Sequence, residues 1–388
     1  MSEQTGNAAA RACPVCGADT EVDDEFCEAC GTALDGTGAP SAEPLGAAPS
    51  GQTAVDGAAP ADPPSADSPP AGPSVRTAPA GPYGRTNPCT GCGADPTAID
   101  ADGYCTDCGL LQPSPRDHLE VDLGWAAGVT DRGRHHPRNE DAFHLEMVGP
   151  PEEHNLVAVV CDGVSSSVRA EEAAEAAAQA AATVLAAVVG GPGSLADGTV
   201  HAADAATKAV AALPWTRRGQ LASPSCTLVS AACRDGEVAV GSVGDSRAYW
   251  IDVNEGQVRQ LTVDDSWAEA QIEAGRMTEA EADADPRSHA ITRWIGADAP
   301  EVDARVATLT PAGGGRLLLC SDGLWNYAPT AQAMADLLAN HSEAATPLGL
   351  AQALTTFALG AGGHDNITVV VADFPAATTT TDDEKGSP

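Results

Sequence analysis

VAVVCDGV, residues 157–164, runs a short β-branched stretch into an Asp-Gly pair. A run of that length closed by a turn pair reads as a strand buried on both faces. It delivers one carboxylate, Asp162, at its end. The pattern recurs along the chain. Asp141 lies in RNEDAFH (138–144), Asp245 in VGDSRAYW (243–250), Asp322 in LLLCSDGLW (317–325) and Asp365 in GHDNITVVV (363–371). Each acid stands beside a strand-like run, so only the folded domain would gather them. Gathered acids cannot stay ionised together unless cations neutralise them. Hard oxygen ligands select Mg2+ or Mn2+ over zinc or copper. The first expectation is a multi-metal, oxygen-rich site.

Around these motifs the pattern alternates. Strands are expected over 156–161, 227–232, 237–243, 247–251, 316–320 and 367–374, with a hairpin turn at Asp235-Gly236. Helices are expected over 170–189, 201–213, 330–339 and 346–359. Glu171, Glu172 and Glu175 at the start of the first suit a helix N-terminus. Antiparallel strands with paired helices give a layered α+β domain.

Taken in order, the motifs resemble those of the metal-dependent protein Ser/Thr phosphatases, the PPM or type 2C family, and its bacterial members in particular. The matching residues are Asn139-Glu140-Asp141, Asp162-Gly163, Gly244-Asp245-Ser246-Arg247, Ser321-Asp322-Gly323-Leu324-Trp325 and Asp365-Asn366. The resemblance covers residues 120–374. It implies a four-layer α-β-β-α sandwich with metals at one end of two packed sheets. It implies two Mn2+ or Mg2+ ions, with Asp162 bridging both and the Gly163 carbonyl on one. Asp322 and Asp365 would hold the other, Glu140 and Asp141 would act mainly through water, and Asp245 would help hold a third ion. The implied reaction is hydrolysis of phosphoserine and phosphothreonine in proteins by a metal-activated bridging water. Ser321 and Asn366 would support the ligands through hydrogen bonds.

The chain departs from the family pattern in three places. No histidine follows Asp162-Gly163, where the sequence reads Val164-Ser165-Ser166-Ser167. The usual Asp-His-Ser is Asp264-Asp265-Ser266. The usual phosphate-binding arginine position holds His136, with Arg138 two residues on. An arginine fork clamps phosphate at any pH, whereas histidine is charged only below about pH 6.5. Both His136 and Arg138 remain candidates for phosphate binding.

The N-terminal third carries an internal repeat of Cys-x-x-Cys-Gly knuckles. Cys13 and Cys16 pair with Cys27 and Cys30; Cys89 and Cys92 pair with Cys105 and Cys108. Four thiolates in two knuckles suit tetrahedral zinc, so two zinc ribbons are expected, at 11–36 and 85–112, with one structural Zn2+ each. The glycine after each knuckle allows a left-handed turn that aims backbone N–H groups at sulfur. Between the ribbons, 37–82 holds eleven prolines and no aromatic residue. That composition cannot bury a core and reads as a disordered tether. Residues 375–388 read as a disordered tail. Cys161, Cys226, Cys233 and Cys320 lie in apolar runs and read as small buried hydrophobes.

The formal net charge is -35. Nucleic acid and anionic membranes need a basic footprint, so neither is expected as a partner. The N-terminus lacks the apolar stretch of a signal peptide, and a cytoplasmic location is expected. The expected partners are phosphorylated proteins, with the enzyme opposing a Ser/Thr protein kinase and docking partners through its ribbons. A second class stays open: a weak or inactive phosphatase that binds phosphoprotein, as the His136 and Asp265 departures suggest. A third, a zinc-ribbon nucleic-acid adaptor, is disfavoured by the charge.

Overall fold

Alternation along the strands sets the layers. In 156–161, Leu156, Ala158 and Val160 point into one apolar cluster, and Val157, Val159 and Cys161 into another. In 315–320, Leu317 and Leu319 share the first of these clusters, whereas Leu318 and Cys320 join a third. Strands with two buried faces must lie between layers. That is the sandwich: helix, sheet, sheet, helix.

The computed structural model describes residues 88–375 apart from 101–102, 218–220, 253–255, 300–301 and 312, together with the pieces 11–12, 19–20 and 74–77. The chain divides into two units, Met1–Pro70 and Ala71–Pro388. In the first, Arg11–Ala12 pairs antiparallel with Asp19–Thr20. Cys13, Cys16, Cys27 and Cys30, and with them the expected first zinc site, lie outside the described residues. So do residues 376–388 and most of 37–82. Within that expected tether, Ser74–Thr77 is described, as a strand paired antiparallel with residues 119–122. Its Val75 and Thr77 are β-branched, which suits a strand.

In the second unit the main strands are β1 (His118–Asp122), β2 (Ala126–Asp131), β3 (Ala142–Met147), β4 (Leu156–Cys161), β5 (Leu228–Arg234), β6 (Glu237–Val243), β7 (Arg247–Asp252), β8 (Val258–Gln260), β9 (Arg305–Leu309), β10 (Gly315–Cys320) and β11 (Ile367–Phe374). One antiparallel sheet runs β9-β6-β5-β4-β3. The other runs β8-β7-β10-β11-β2-β1 and ends on Ser74–Thr77. Helices α1 (Ala170–Val189) and α2 (Leu195–Ala211) cover the five-stranded sheet. After β8 come α3 (Trp267–Glu273) and α4 (Glu279–Asp283), and after β10 the short α5 (Asp322–Trp325). With α5, helices α6 (Ala331–Asn340) and α7 (Pro347–Ala361) cover the seven-stranded sheet. Helix α1 is long and apolar enough to cross a membrane by length and composition. Here its alanine face (Ala173, Ala174, Ala177, Ala181) is buried in the core.

The register brings the motifs to one end. Cys320 pairs with Arg247 and with Val369, Ile367 with Asp131, and Ala142 with Cys161. The residues just beyond these pairs are Asp141, Asp162, Asp245, Asp322 and Asp365.

Candidate metal centre

The five acids gather at this end of both sheets, four from loops and Asp322 from the first turn of α5. Asp141 crosses between the sheets: its Oδ2 accepts from Ser321 Oγ (2.8 Å) and Thr368 Oγ1 (2.7 Å). Thr368 Oγ1 also lies 2.7 Å from Thr130 Oγ1, which accepts from Asn139 Nδ2 at 2.9 Å. These bonds leave Asp141 Oδ1 buried with no partner, and Asp322 Oδ1 is in the same state. A buried oxygen without a donor is costly, so two such oxygens in one acidic cluster suit a cation as their partner. Asp162 is fixed through its backbone: its N–H donates to Thr227 Oγ1 (3.1 Å) and its carbonyl accepts from Thr227 N–H (2.8 Å). Thr227 Oγ1 is also 2.7 Å from Ser246 Oγ, which ties Asp162 to the loop of Asp245.

Asn366 stitches the remaining loops. Its Oδ1 accepts from Glu140 N–H (2.7 Å), and its Nδ2 donates to the carbonyls of Arg132 (2.7 Å) and Arg138 (3.0 Å). Glu140 Oε2 accepts from Ser165 Oγ at 3.0 Å. His136 Nε2 stands 3.2 Å from Asp365 Oδ1, and its Nδ1 4.0 Å from Glu140 Oε2. Arg138 Nη1 is 3.6 Å from Glu171 Oε1 on α1. Ser321 and Asn366 thus make the supporting bonds their motifs suggested. Thr130, Thr227 and Thr368 make supporting bonds that no motif announces, because a threonine in a β-run carries no separate signal of a role.

Electrostatics report the same crowding. Burial first, then the charges of Asp141, Asp322, Asp365 and Asp245, raise the pKa of Asp162. Burial also raises Asp245, with Asp322 and Asp264 adding to it. Asp141 and Asp322 are both pushed up to about 7, again chiefly by burial. An unfolded aspartate titrates near 3.9. Between pH ~4 and ~7 the metal-free fold therefore binds more protons than the unfolded chain, and its stability falls as pH rises through that window. Cations displace those protons and cancel the loss. In chelator the melting temperature should fall between pH 5 and pH 8, and the increment from Mn2+ should grow with pH. A metal-free melting temperature that rises over that range would contradict the cluster.

Arg247 is fully committed. Its Nε and Nη2 hold the Asp264 carboxylate (3.0 and 2.7 Å), its Nη1 donates to the Pro329 carbonyl (2.7 Å), and its Cζ lies 3.7 Å from the Trp325 ring centroid. Asp265, at the expected histidine position, is buried. It accepts from Gly244 N–H (3.2 Å) and Arg305 Nε (2.9 Å), and lies 3.5 Å from Arg293. Its charge is therefore compensated. Beside Asp245 a cavity of about 680 Å³ opens between α3, α4 and the Arg247–Trp325 wall. Both of these short helices carry a side-chain cap, α3 from Ser266 and α4 from Thr278.

A separate group holds sulfur. The Sγ atoms of Cys89, Cys92, Cys105 and Cys108 all lie within 4.8 Å of one another. Cys89 and Cys108 are 3.5 Å apart, and Cys92 and Cys105 3.7 Å. A tetrahedron with Zn–S near 2.3 Å requires S···S of about 3.8 Å. Gly93 and Gly109 have φ of 73° and 74°, the left-handed turn expected after each knuckle. Gly91 N–H and Gln112 Nε2 both donate to Cys89 Sγ at 3.4 Å. Cys161, Cys226, Cys233 and Cys320 are buried within the sandwich.

Comparison with known proteins places this geometry. The model of the family described as protein phosphatase 2C matches residues 131–358. The Ser/Thr phosphatase stp of Listeria welshimeri is 34% identical over 148 residues, which is 38% of this chain and 56% of stp. The chain thus spans just over half the length of the curated relatives it matches first. The crystal structure of the Ser/Thr phosphatase PstP of Mycobacterium tuberculosis is 28% identical, with a TM-score of 0.53 over 64% of this chain and 98% of that one. A PstP catalytic domain in complex with two manganese ions is also 28% identical, with a TM-score of 0.50 over 64% of this chain and 96% of that one.

Proposed function

This chain belongs to the protein phosphatase 2C family, and on that premise we propose that it hydrolyses phosphoserine and phosphothreonine in proteins. The observation that carries the reading is the pair of orphaned carboxylate oxygens on Asp141 and Asp322, inside a cluster of acids whose pKa values burial, and then neighbouring acids, push up. Such a set fits Mn2+ or Mg2+. Asp162, the Gly163 carbonyl, Asp322 and Asp365 would hold two ions, Glu140 and Asp141 would stand behind them, and Asp245 would serve a third. When bound, such ions lower the pKa of water and neutralise phosphoryl oxygens. The protein's own groups do the positioning. Thr227, Thr368 and Ser321 fix the acids of both sheets in one place. Asn366 sets the distance between the Glu140 and Asp365 loops. Because Arg247 is spent on Asp264, it is not free to clamp phosphate.

His136 is the phosphate ligand in this reading. It already faces the site through Asp365, whereas Arg138 faces Glu171. Hydrolysis of p-nitrophenyl phosphate with added Mn2+ tests both points. Turnover is expected; phosphopeptide binding without turnover would favour the inactive-phosphatase alternative. His136→Ala should raise KM by about tenfold, the worth of one charge-assisted hydrogen bond, and Arg138→Ala by less. The reverse order would assign phosphate binding to Arg138.

The four thiolates of Cys89, Cys92, Cys105 and Cys108 are proposed to hold one structural Zn2+. The repeat extends that proposal to Cys13, Cys16, Cys27 and Cys30. Tyr104 and Leu110 stand exposed on the described ribbon, which supports docking of a protein there. The substrates would be the products of a Ser/Thr protein kinase.

A further inference from the structure

We propose that a lip of Arg134, His135 and His364 reads an acidic residue flanking the phosphorylated one, so that the preferred substrates are phosphoproteins with Asp or Glu close to the target site. This rests on the phosphatase reading and adds a substrate class to it.

The sequence supplies the first observation. The chain has 20 Lys and Arg against 55 Asp and Glu. Yet RGRHHPR, residues 132–138, places three arginines and two histidines in seven positions, all between β2 and Asp141. The fold then sets this segment against the loop before β11. Arg134 N–H donates to the Gly363 carbonyl (2.8 Å), and Asn366 Nδ2 ties down the Arg132 and Arg138 carbonyls. The rings of His135 and His364 stack with centroids 4.7 Å apart and 19° between planes. His364 N–H is anchored on Tyr327 Oη at 3.2 Å. The inner edge of the lip is His136 with Asp365, at the rim of the candidate metal centre.

Most cations near this end of the sandwich are committed. Arg116 holds Glu175, Arg132 faces Asp117 and donates to the His136 carbonyl, Arg138 faces Glu171, and Arg247 holds Asp264. Arg134 is exposed, and among the described residues its guanidinium has no acidic partner within ion-pair distance. His135 and His364 are exposed beside it. A guanidinium fork takes a carboxylate through two parallel N–H···O bonds. Each imidazole adds an N–H donor in either tautomer, so the lip donates without needing a protonated histidine. An anionic side chain a few residues from the phosphorylated one would meet all three. The far side of the site has the opposite sign: the cavity under α3 and α4 is lined by Asp245, Asp264, Glu269 and Glu279, and it would favour a basic flank. The lip is the better candidate because its cation is uncommitted and accessible, whereas Asp264 is already neutralised and Asp245 belongs to the metal set.

The test uses the full chain with Mn2+ and three phosphothreonine peptides that differ only in Glu, Ala or Lys flanks. At about 0.15 M salt the Debye length is about 8 Å, so contacts at the lip outweigh the field of the whole acidic protein. The Glu-flanked peptide should exceed the Lys-flanked one in kcat/KM by about tenfold, mostly through KM. Arg134→Ala should bring that ratio toward one, His135→Ala should lower it in part, and Arg134→Glu should reverse it. The ratio is the readout because any general loss of turnover cancels in it. A wild-type preference for the Lys flank would overturn the lip and point to the cavity. A Glu preference that survives Arg134→Glu would overturn it too. If neither p-nitrophenyl phosphate nor any peptide is hydrolysed, the phosphatase reading fails separately. Calorimetric binding of the same peptides then reads the lip, with the same ratio and reversal expected.

Discussion

Asp162→Ala should cut kcat on a phosphopeptide by about a thousandfold or more and yet raise the melting temperature of the protein in chelator. The two effects have one origin. Asp162 is raised well above the usual aspartate range by burial and by four neighbouring acids. Its ionised form therefore costs stability in the metal-free fold at neutral pH, and removing it relieves that cost. With metal present the same carboxylate would be one of the groups that hold the ions. Losing several kcal/mol of charge stabilisation at the phosphoryl group, at about 1.4 kcal/mol per tenfold, gives the drop in rate. The Mn2+ increment in melting temperature should shrink with it. A variant that is both inactive and less stable in chelator would indicate a packing role, not a ligand.

Gly323→Ala should be nearly as damaging, without touching any charge. A Cβ at position 323 would lie 1.9 Å from the Asn366 carbonyl oxygen and 3.3 Å from Ile367 Cα. Both are backbone atoms, so no side chain can swing aside. The end of β10 and the start of β11 must separate, and Asp322 and Asp365 move apart with them. Overpacking of this kind costs about 1–3 kcal/mol, and a misplacement of about 1 Å in a positioned site costs about a hundredfold in rate. Melting temperature and kcat should both fall. Near-normal values for both would mean that the two loops need not touch.

Strands buried on both faces were readable from the sequence because burial on both faces leaves an unbroken apolar run. Residues 156–161, 237–243 and 367–374 begin and end where their composition says. Strands only partly buried were not readable. Arg305–Leu309 alternates half-buried and exposed residues, and His118–Asp122 is half-buried throughout, so neither shows a run. Ala126–Asp131 is central but reads AAGVTD, whose small residues have weak β-propensity. Of these, Gly128 leaves room for the Phe143 ring. Helix α2 begins at Leu195, earlier than the expected 201, because Ser194 caps it by accepting from Asp197 N–H. Ser266 and Thr278 cap α3 and α4 in the same way, accepting from Glu269 and Glu281 N–H.

The carboxylate set was legible because motifs at strand ends keep their order whatever lies between them. The bonds that orient it were not, since the threonines at 130, 227 and 368 become site residues only when two sheets face each other. The same holds for the lip: RGRHHPR is visible in the sequence, but His364 joins it only through the loop that precedes β11.

The most direct test is release of phosphate from a phosphothreonine peptide by metal-scrubbed protein as Mn2+ is titrated in and then removed by chelator. The account predicts no release without metal, saturable release with it, and full reversal by chelator. Release that persists in chelator, or none at saturating Mn2+ or Mg2+ from a folded protein, would contradict the claim that the acids of 141–365 form a metal-dependent phosphatase centre.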